Sequence, residues 1–284
     1  VIRRHGRNLE YDIYLPDKRI GIEINGSYWH STLGGDDSKS KDSKYHLDEF
    51  LLSEMEKVHL IQIFDIDWYL NSDRLKIFLR DLIGESTVLY ARKLTMKDVS
   101  SGEVKQFLNS HHIQGYSNKG SVCLGLYQGE ELMPLMTFGH QRFSKSNDLW
   151  ELHRYCVKSG YIVVGGPEKL LNEFKKRYCF KQIVSYSDND HFQGKMYERL
   201  GFTLDGFTNP RYYWISKDSK EYYTREQCML SKLKEKYPEW YEKALGFKGN
   251  KEDFIMLSLG FLKVYRSGNK RWLMKGEELA ALEI

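Results

Sequence analysis

Residues 9–26, LEYDIYLPDKRIGIEING, alternate apolar and polar positions on both sides of a Pro16-Asp17-Lys18 turn signal. Leu9, Tyr11, Ile13 and Leu15 share one face of a first arm, and Ile20, Ile22 and Ile24 share one face of a second. This is the period of two that marks strands. A turn centred on Asp17-Lys18 sets the register of the pair and places Asp12 opposite Glu23. Like charges facing each other across two strands destabilise the pair unless a cation lies between them. An ordinary solvated hairpin face is the alternative for these acids.

Further along, Leu47, Phe50, Leu51, Met55 and Val58 recur at helical spacing between Tyr45 and His59, and Leu60 to Phe64 reads as a buried strand. Ser72-Asp73-Arg74 opens another helix that Gly84 is placed to end. Next come a helix over Ser100 to Asn109, strands over Val122 to Tyr127, Leu132 to Phe138 and Trp150 to Val157, and an antiparallel meander as their simplest arrangement. Tyr161 to Glu168 reads as strand, glycine turn and helix start, with Pro167 where a first helical turn tolerates proline. Gln182 to Ser187 is a strand, and Gly194 to Phe202 a helix ending at glycine before another strand. Residues 217–248 are mostly helical, and Gly260 to Trp272 reads as a small hairpin about a Ser267-Gly268-Asn269 turn.

The 284 residues are 41% hydrophobic, which supplies real cores, and 29% charged, which is ordinary for a folded chain. That length accommodates two domains more readily than one. The net charge of +4 is mildly basic, so the clusters matter more than the sum. Cys123, Cys156, Cys179 and Cys228 contain no Cys-x-x-Cys pair, which argues against a zinc knuckle and against a disulfide framework. A reducing, cytoplasmic setting without a membrane span is expected. The acidic, helix-forming segment 276–284 carries no functional expectation.

The acids of the first hairpin gain meaning from the residues after them. Glu23 precedes Ile24-Asn25, Tyr28-Trp29-His30 comes directly after, and His46 opens the next helix. This pattern resembles the PD-(D/E)XK nuclease superfamily, in particular the very-short-patch-repair-like branch and the phage homing endonucleases of the EDxHD type. The resemblance implies Asp12 and Glu23 as ligands of Mg2+, with Mn2+ as its substitute. It implies His30 and His46 as catalytic residues near the phosphate, and a phage-encoded protein in a bacterial host. Paired carboxylates suit such chemistry, because a hard cation polarises a phosphoryl oxygen and activates water. Asn25 stands where the superfamily has a lysine. The family's glutamate helix would lie before residue 1, supplied by a missing N-terminal segment, and a homodimer is the other way to complete the site.

Met196-Tyr197-Glu198-Arg199-Leu200-Gly201-Phe202 resembles the late helix-to-strand signature of GNAT-fold proteins, and Val163-Val164-Gly165-Gly166-Pro167 stands near their pyrophosphate loop. The closest likeness is to the domain related to phage Mom-type DNA modification. The loop is incomplete, so close helix packing is the role expected of Gly165-Gly166, and useful acetyl-CoA binding is not expected. His111 to Tyr116, His140, His153 and Asp188 to His191 show no metal-ligand spacing. Each is expected to fold its loop, with a substrate cleft or DNA contact as alternatives.

Basic and aromatic clusters nominate Arg3, Arg4, Arg7, Arg211, Lys263, Arg266, Lys270 and Arg271 as contacts to double-stranded DNA, together with Lys175-Lys176-Arg177. The expected fold class is therefore α+β. A nuclease-like domain over 1–84 precedes a GNAT-like domain over 85–216 and a small basic extension over 217–284. The expected function is a metal-dependent, site-specific DNA endonuclease of the homing type. A DNA-modifying GNAT-like transferase and a non-catalytic DNA-binding protein are the alternatives.

Overall fold

The computed structural model describes residues 2–4, 7–32, 42–84, 86–118, 120–141, 146–218 and 221–276, with side chains from residue 10 onward. In chain order the elements are β1 (Ile2–Arg4), β2 (Arg7–Leu9), β3 (Ile13–Leu15), β4 (Ile20–Asn25), α1 (Tyr45–Met55), β5 (His59–Phe64), α2 (Asp65–Ile83), β6 (Thr87–Tyr90), β7 (Thr95–Asp98), α3 (Ser101–His111), β8 (Val122–Gln128), β9 (Glu131–His140), β10 (Leu149–Val157), β11 (Tyr161–Val164), α4 (Gly166–Arg177), β12 (Gln182–Asp188), α5 (Lys195–Arg199), β13 (Thr203–Phe207), β14 (Tyr212–Ser216), β15 (Tyr222–Thr224), α6 (Leu230–Lys236), α7 (Pro238–Leu245), α8 (Lys251–Ser258), β16 (Phe261–Tyr265) and β17 (Asn269–Lys275). No helix among the described residues is long and apolar enough to cross a membrane.

The chain forms two compact units that do not follow one another in sequence. Unit 1 gathers residues 1–70, 188–193 and 208–269, and unit 2 gathers 71–187, 194–207 and 270–284. The chain changes unit inside α2, where Asn71 has φ −141° and ψ 28° and interrupts the helix. The boundaries expected at 84 and 216 therefore differ from those of the compact units. Local periodicity marks elements, whereas unit membership depends on partners distant in sequence.

In unit 1 the first hairpin has the register set by its turn, with Ile13 opposite Ile22 and Leu15 opposite Ile20. Arg19 closes the turn in the left-handed region at φ 53°. β4 runs parallel to β5, joined through α1, in a three-stranded sheet ordered β3-β4-β5. A second sheet, β15-β14-β16, is antiparallel. Phe64 and Ile66 share a buried core with Tyr213, Ile215, Leu262 and Val264, so the segment after residue 208 completes the N-terminal fold. Helices α6 to α8 close over Trp214, Leu233, Ile255 and Met256.

Unit 2 is built on a seven-stranded sheet ordered β13-β17-β12-β10-β9-β8-β7. β7 to β10 form an antiparallel meander, and β12 lies parallel to β10 after the crossover through α4. Both faces are covered, which explains why the interior of β9 is buried without alternation. Val104, Phe107 and Leu108 of α3 join one apolar cluster, while Leu170, Leu171 and Phe174 of α4 join the other. β6 and β11 form a separate parallel ribbon.

The hairpin expected over Gly260 to Trp272 does not form. β16 pairs with β14 in unit 1, while β17 pairs with β13 in unit 2. The Ser-Gly-Asn turn is drawn elsewhere: Ser267 N–H donates to Asp190 Oδ1 at 3.0 Å, and Asn189 N–H donates to the Gly268 carbonyl at 3.0 Å.

Candidate functional site

In unit 1 the structure gathers the residues nominated from the first hairpin. Asp12 Oδ2 accepts the Ile24 N–H at 2.7 Å. Burial pushes the Glu23 carboxyl up to about 8, reinforced by the negative charges of Glu49, Asp12 and Glu10. The His30 and His46 rings stack with centroids 5.1 Å apart, and His46 Nδ1 lies 3.5 Å from Glu49 Oε2. A carboxyl raised so far is mostly neutral near pH 7. Among the described residues there is no group of three or more His, Cys, Asp or Glu side chains able to hold a metal ion.

The basic residues of the tail are mostly engaged. Lys263 is buried, with Nζ 2.7 Å from Asp253 and 4.0 Å from the centre of the Tyr212 ring. Arg266 donates to Asp190 Oδ2 at 2.7 Å and to Asp67, and covers the Phe64 ring at 4.6 Å. Lys270 is buried beside Trp272, and Arg271 pairs with Asp205 at 2.8 Å. Arg211, Lys175 and Lys176 are exposed. The side chains of Arg3, Arg4 and Arg7 lie outside the described residues. The loop Asp188 to His191 belongs to unit 1, where the Asp190 carbonyl accepts the Gln62 N–H and its carboxylate binds Arg266.

In unit 2 the informative feature is where β10 and β12 part. Their parallel pairing ends at Leu152 opposite Ser185. On its other edge β10 skips one position against β9 between Leu152 and Arg154, so His153 is the extra residue of a bulge. Ser185 Oγ lies 2.8 Å from the Leu152 carbonyl and 2.9 Å from the Tyr197 hydroxyl. A carbonyl can only accept, and a serine hydroxyl has one proton to give. Ser185 therefore donates to Leu152, and Tyr197 donates to Ser185. Burial pushes the Tyr197 phenol up, which keeps it protonated.

The Tyr197 ring is held from behind by Trp272, a residue grouped by sequence with the basic tail but buried at 1% exposure in the sheet. Beyond β11, Gly165 caps α4 in the left-handed region at φ 74°. A Cβ on Gly166 would lie 2.9 Å from the Tyr155 hydroxyl, so this glycine does serve close packing. Neither Ser185 nor the seat of Trp272 was legible as site chemistry, because a lone serine in a strand carries no spacing signal.

No family model and no curated protein sequence matches the chain. Among solved structures it is similar to a Bacillus subtilis acetyltransferase in complex with CoA, at 15% identity over 64% of this chain and 99% of that one, with a TM-score of 0.36. It is also similar to the Escherichia coli ribosomal-protein-S18-alanine N-acetyltransferase, at 18% identity over 45% and 88% of the two chains, with a TM-score of 0.35. A GNAT family acetyltransferase from Elizabethkingia anophelis with acetyl-CoA bound is matched at 13% identity over 64% and 98%, with a TM-score of 0.32. At these scores the likeness transfers no activity.

The neighbours are acetyltransferases rather than nucleases, and among the described residues no three or more His, Cys, Asp or Glu side chains gather to hold a metal ion. The expectation of a Mg2+- or Mn2+-dependent DNA endonuclease is corrected accordingly, as are the hydrolase chemistry and the metal cofactor that went with it. The chain is a mixed α+β protein whose unit 2 has a GNAT-like fold: a meander, a helical crossover, and a parallel strand that diverges from its neighbour.

Proposed function

We propose that unit 2 is an acyltransferase that uses a CoA thioester as acyl donor. The observation that carries this reading is the parting of β10 from β12 at Leu152 and Ser185, with the protonated phenol of Tyr197 held there. Gly165, Gly166 and Glu168 at the amino end of α4 would hold the donor's diphosphate through backbone N–H groups that lack an intrahelical carbonyl. Pro167 contributes no donor, and Gly165 leaves the approach free of a side chain, since a Cβ there would meet only Ala91 at 3.8 Å. This reading revises the expectation drawn from the incomplete glycine loop.

An acyl-CoA supplies a carbonyl activated as a thioester. Transfer to an amine forms a C–N bond, breaks the C–S bond and leaves sulfur with the electron pair. Tyr197 carries the proton that the sulfur then needs, and its hydroxyl would turn from Ser185 Oγ to give it. Double-stranded DNA is the partner we propose, supported by the exposed basic side chains of Lys175, Lys176 and Arg211. Calorimetry with acetyl-CoA on the full chain tests the donor. Saturable binding by the wild type and by Tyr197→Phe, with thiol release lost in the variant, is expected. Absence of binding by the wild type overturns the reading.

A further inference from the structure

In unit 2, α3 and the turn between β8 and β9 border a cavity of about 260 Å³, near the lower end of the roughly 300–1,000 Å³ usual for small-molecule sites. Phe107 and Leu132, both buried, supply its apolar lining. Its two ends differ in charge. The phenol of Tyr127 is pushed up by burial and then by Glu103 and Glu130, so these two carboxylates gather about one ring. Glu130 pairs with Lys97 at 3.2 Å, whereas Glu103 pairs with no cation among the described residues. At the other end Lys158 pairs with Glu131, beside His111. Glu103 and His111 lie eight residues apart on α3, roughly 12 Å along its axis.

Ser159 fixes the state of the imidazole. Its backbone N–H can only donate, and it points to His111 Nδ1 at 3.3 Å, with the Ser159 hydroxyl 2.8 Å from the same atom. Nδ1 therefore carries the lone pair, and the ring proton is on Nε2. Burial, and then the charge of Lys158, pushes the imidazole down, so the ring is neutral near pH 7. The Lys158 ammonium has three protons, of which Glu131 takes one. One end of the cavity thus offers N–H donors, and the other a carboxylate that lacks a cation.

We propose that this cavity binds a small zwitterion whose ammonium meets Glu103, whose carboxylate meets His111 Nε2–H and Lys158, and whose aliphatic stem lies against Phe107 and Leu132. A simple amine leaves the donor end unanswered, and a simple carboxylic acid leaves Glu103 without a cation. An α-amino acid carries both charges on one carbon and does not span the two ends, so the ligand class is an amino acid with its charges at opposite ends of a chain. The cavity shares no residue with the strand parting or with the amino end of α4. The buried residues of α3 and α4 also belong to different apolar clusters. The proposal therefore stands apart from the acyltransferase reading.

Calorimetry of the full chain with 6-aminohexanoate, hexylamine and hexanoate tests it. The wild type should bind 6-aminohexanoate saturably and each singly charged analogue about tenfold more weakly or worse, the scale of a lost hydrogen bond to a charged group. Glu103→Gln should weaken 6-aminohexanoate by about tenfold and leave hexanoate unchanged, because only the ammonium loses its partner. Lys158→Met, which keeps the aliphatic stem, should weaken 6-aminohexanoate and leave hexylamine unchanged. The comparison of the three ligands on the wild type decides the matter even where a variant fails to fold. No saturable binding of 6-aminohexanoate, equal affinities for the three ligands, or losses in folded variants that do not follow the missing charge overturn the proposal, and none of these outcomes touches the acyl-donor reading.

Discussion

Trp272 stacks on Tyr197 with ring centroids 5.6 Å apart and 16° between planes, and it donates its indole N–H to Ser187 Oγ at 2.8 Å. The contact ties a strand from the end of unit 2 to the phenol at the strand parting. Trp272→Ala removes the ring, the hydrogen bond and the support, and should cost about 3–5 kcal/mol of stability, the range for deleting a buried large aromatic. Denaturant unfolding followed by circular dichroism measures it. A loss under about 1 kcal/mol would show that β17 is not part of the core, against the range expected for a buried aromatic.

Gly194 should be intolerant of any side chain. Its φ is 83°, and a Cβ there would lie 2.2 Å from Trp272 Cζ2. Gly194→Ala therefore meets both backbone strain and the indole, at a cost above about 1 kcal/mol. A shifted tryptophan emission maximum should accompany the lowered unfolding midpoint. An unchanged midpoint would contradict the described seat of the indole.

The pH dependence of unit 1 should carry the signature of Glu23. Its folded-state value of about 8 lies above its ordinary 4.5, chiefly through burial and then through Glu49 and Asp12. The folded state therefore binds the proton more tightly than the unfolded state. The associated stability is fully present below about 4.5 and is lost as pH rises through about 8. Glu23→Gln cannot titrate, so its Tm should fall less than the wild-type Tm between acidic and alkaline pH. Parallel Tm curves for the two proteins would refute the perturbed carboxyl.

Arg266 should behave as a structural cation. Arg266→Ala leaves Asp67 and Asp190 unpaired in a largely buried setting, and removing one partner from such a network costs about 3–5 kcal/mol. Changing Lys175, Lys176 and Arg211 together to Ala should instead spare stability and lower the slope of log affinity against log salt for duplex DNA by roughly 0.9 for each phosphate no longer neutralised. Unchanged slope in that triple variant would remove the support for DNA at those side chains.

The first hairpin was legible down to its register, because a short turn and a period of two determine which residues face each other. The meander of unit 2 was legible for the same reason, since each of its strands pairs with the next in sequence. The partners of β16 and β17 were not. A Ser-Gly-Asn turn between two apolar runs reads as a hairpin unless Asp190, far upstream, captures Ser267. At the strand parting, the Tyr197 signature was visible in sequence, whereas His153 was expected only to fold its loop. The bulge that sets His153 beside Leu152 depends on strand register, which leaves no mark on composition.

The place of β17 between β12 and β13 also bears on how the protein is made. During synthesis β12 and β13 emerge long before the strand that fills the slot between them. Until residue 275 has left the ribosome, β12 lacks its neighbour on that side and β13 has no partner in the sheet, and exposed edges of this kind recruit foreign strands. A ribosome that stalls beyond residue 207 would leave a sheet committed in its meander but unsealed beside β12, a species for chaperones to hold rather than for proteases to find.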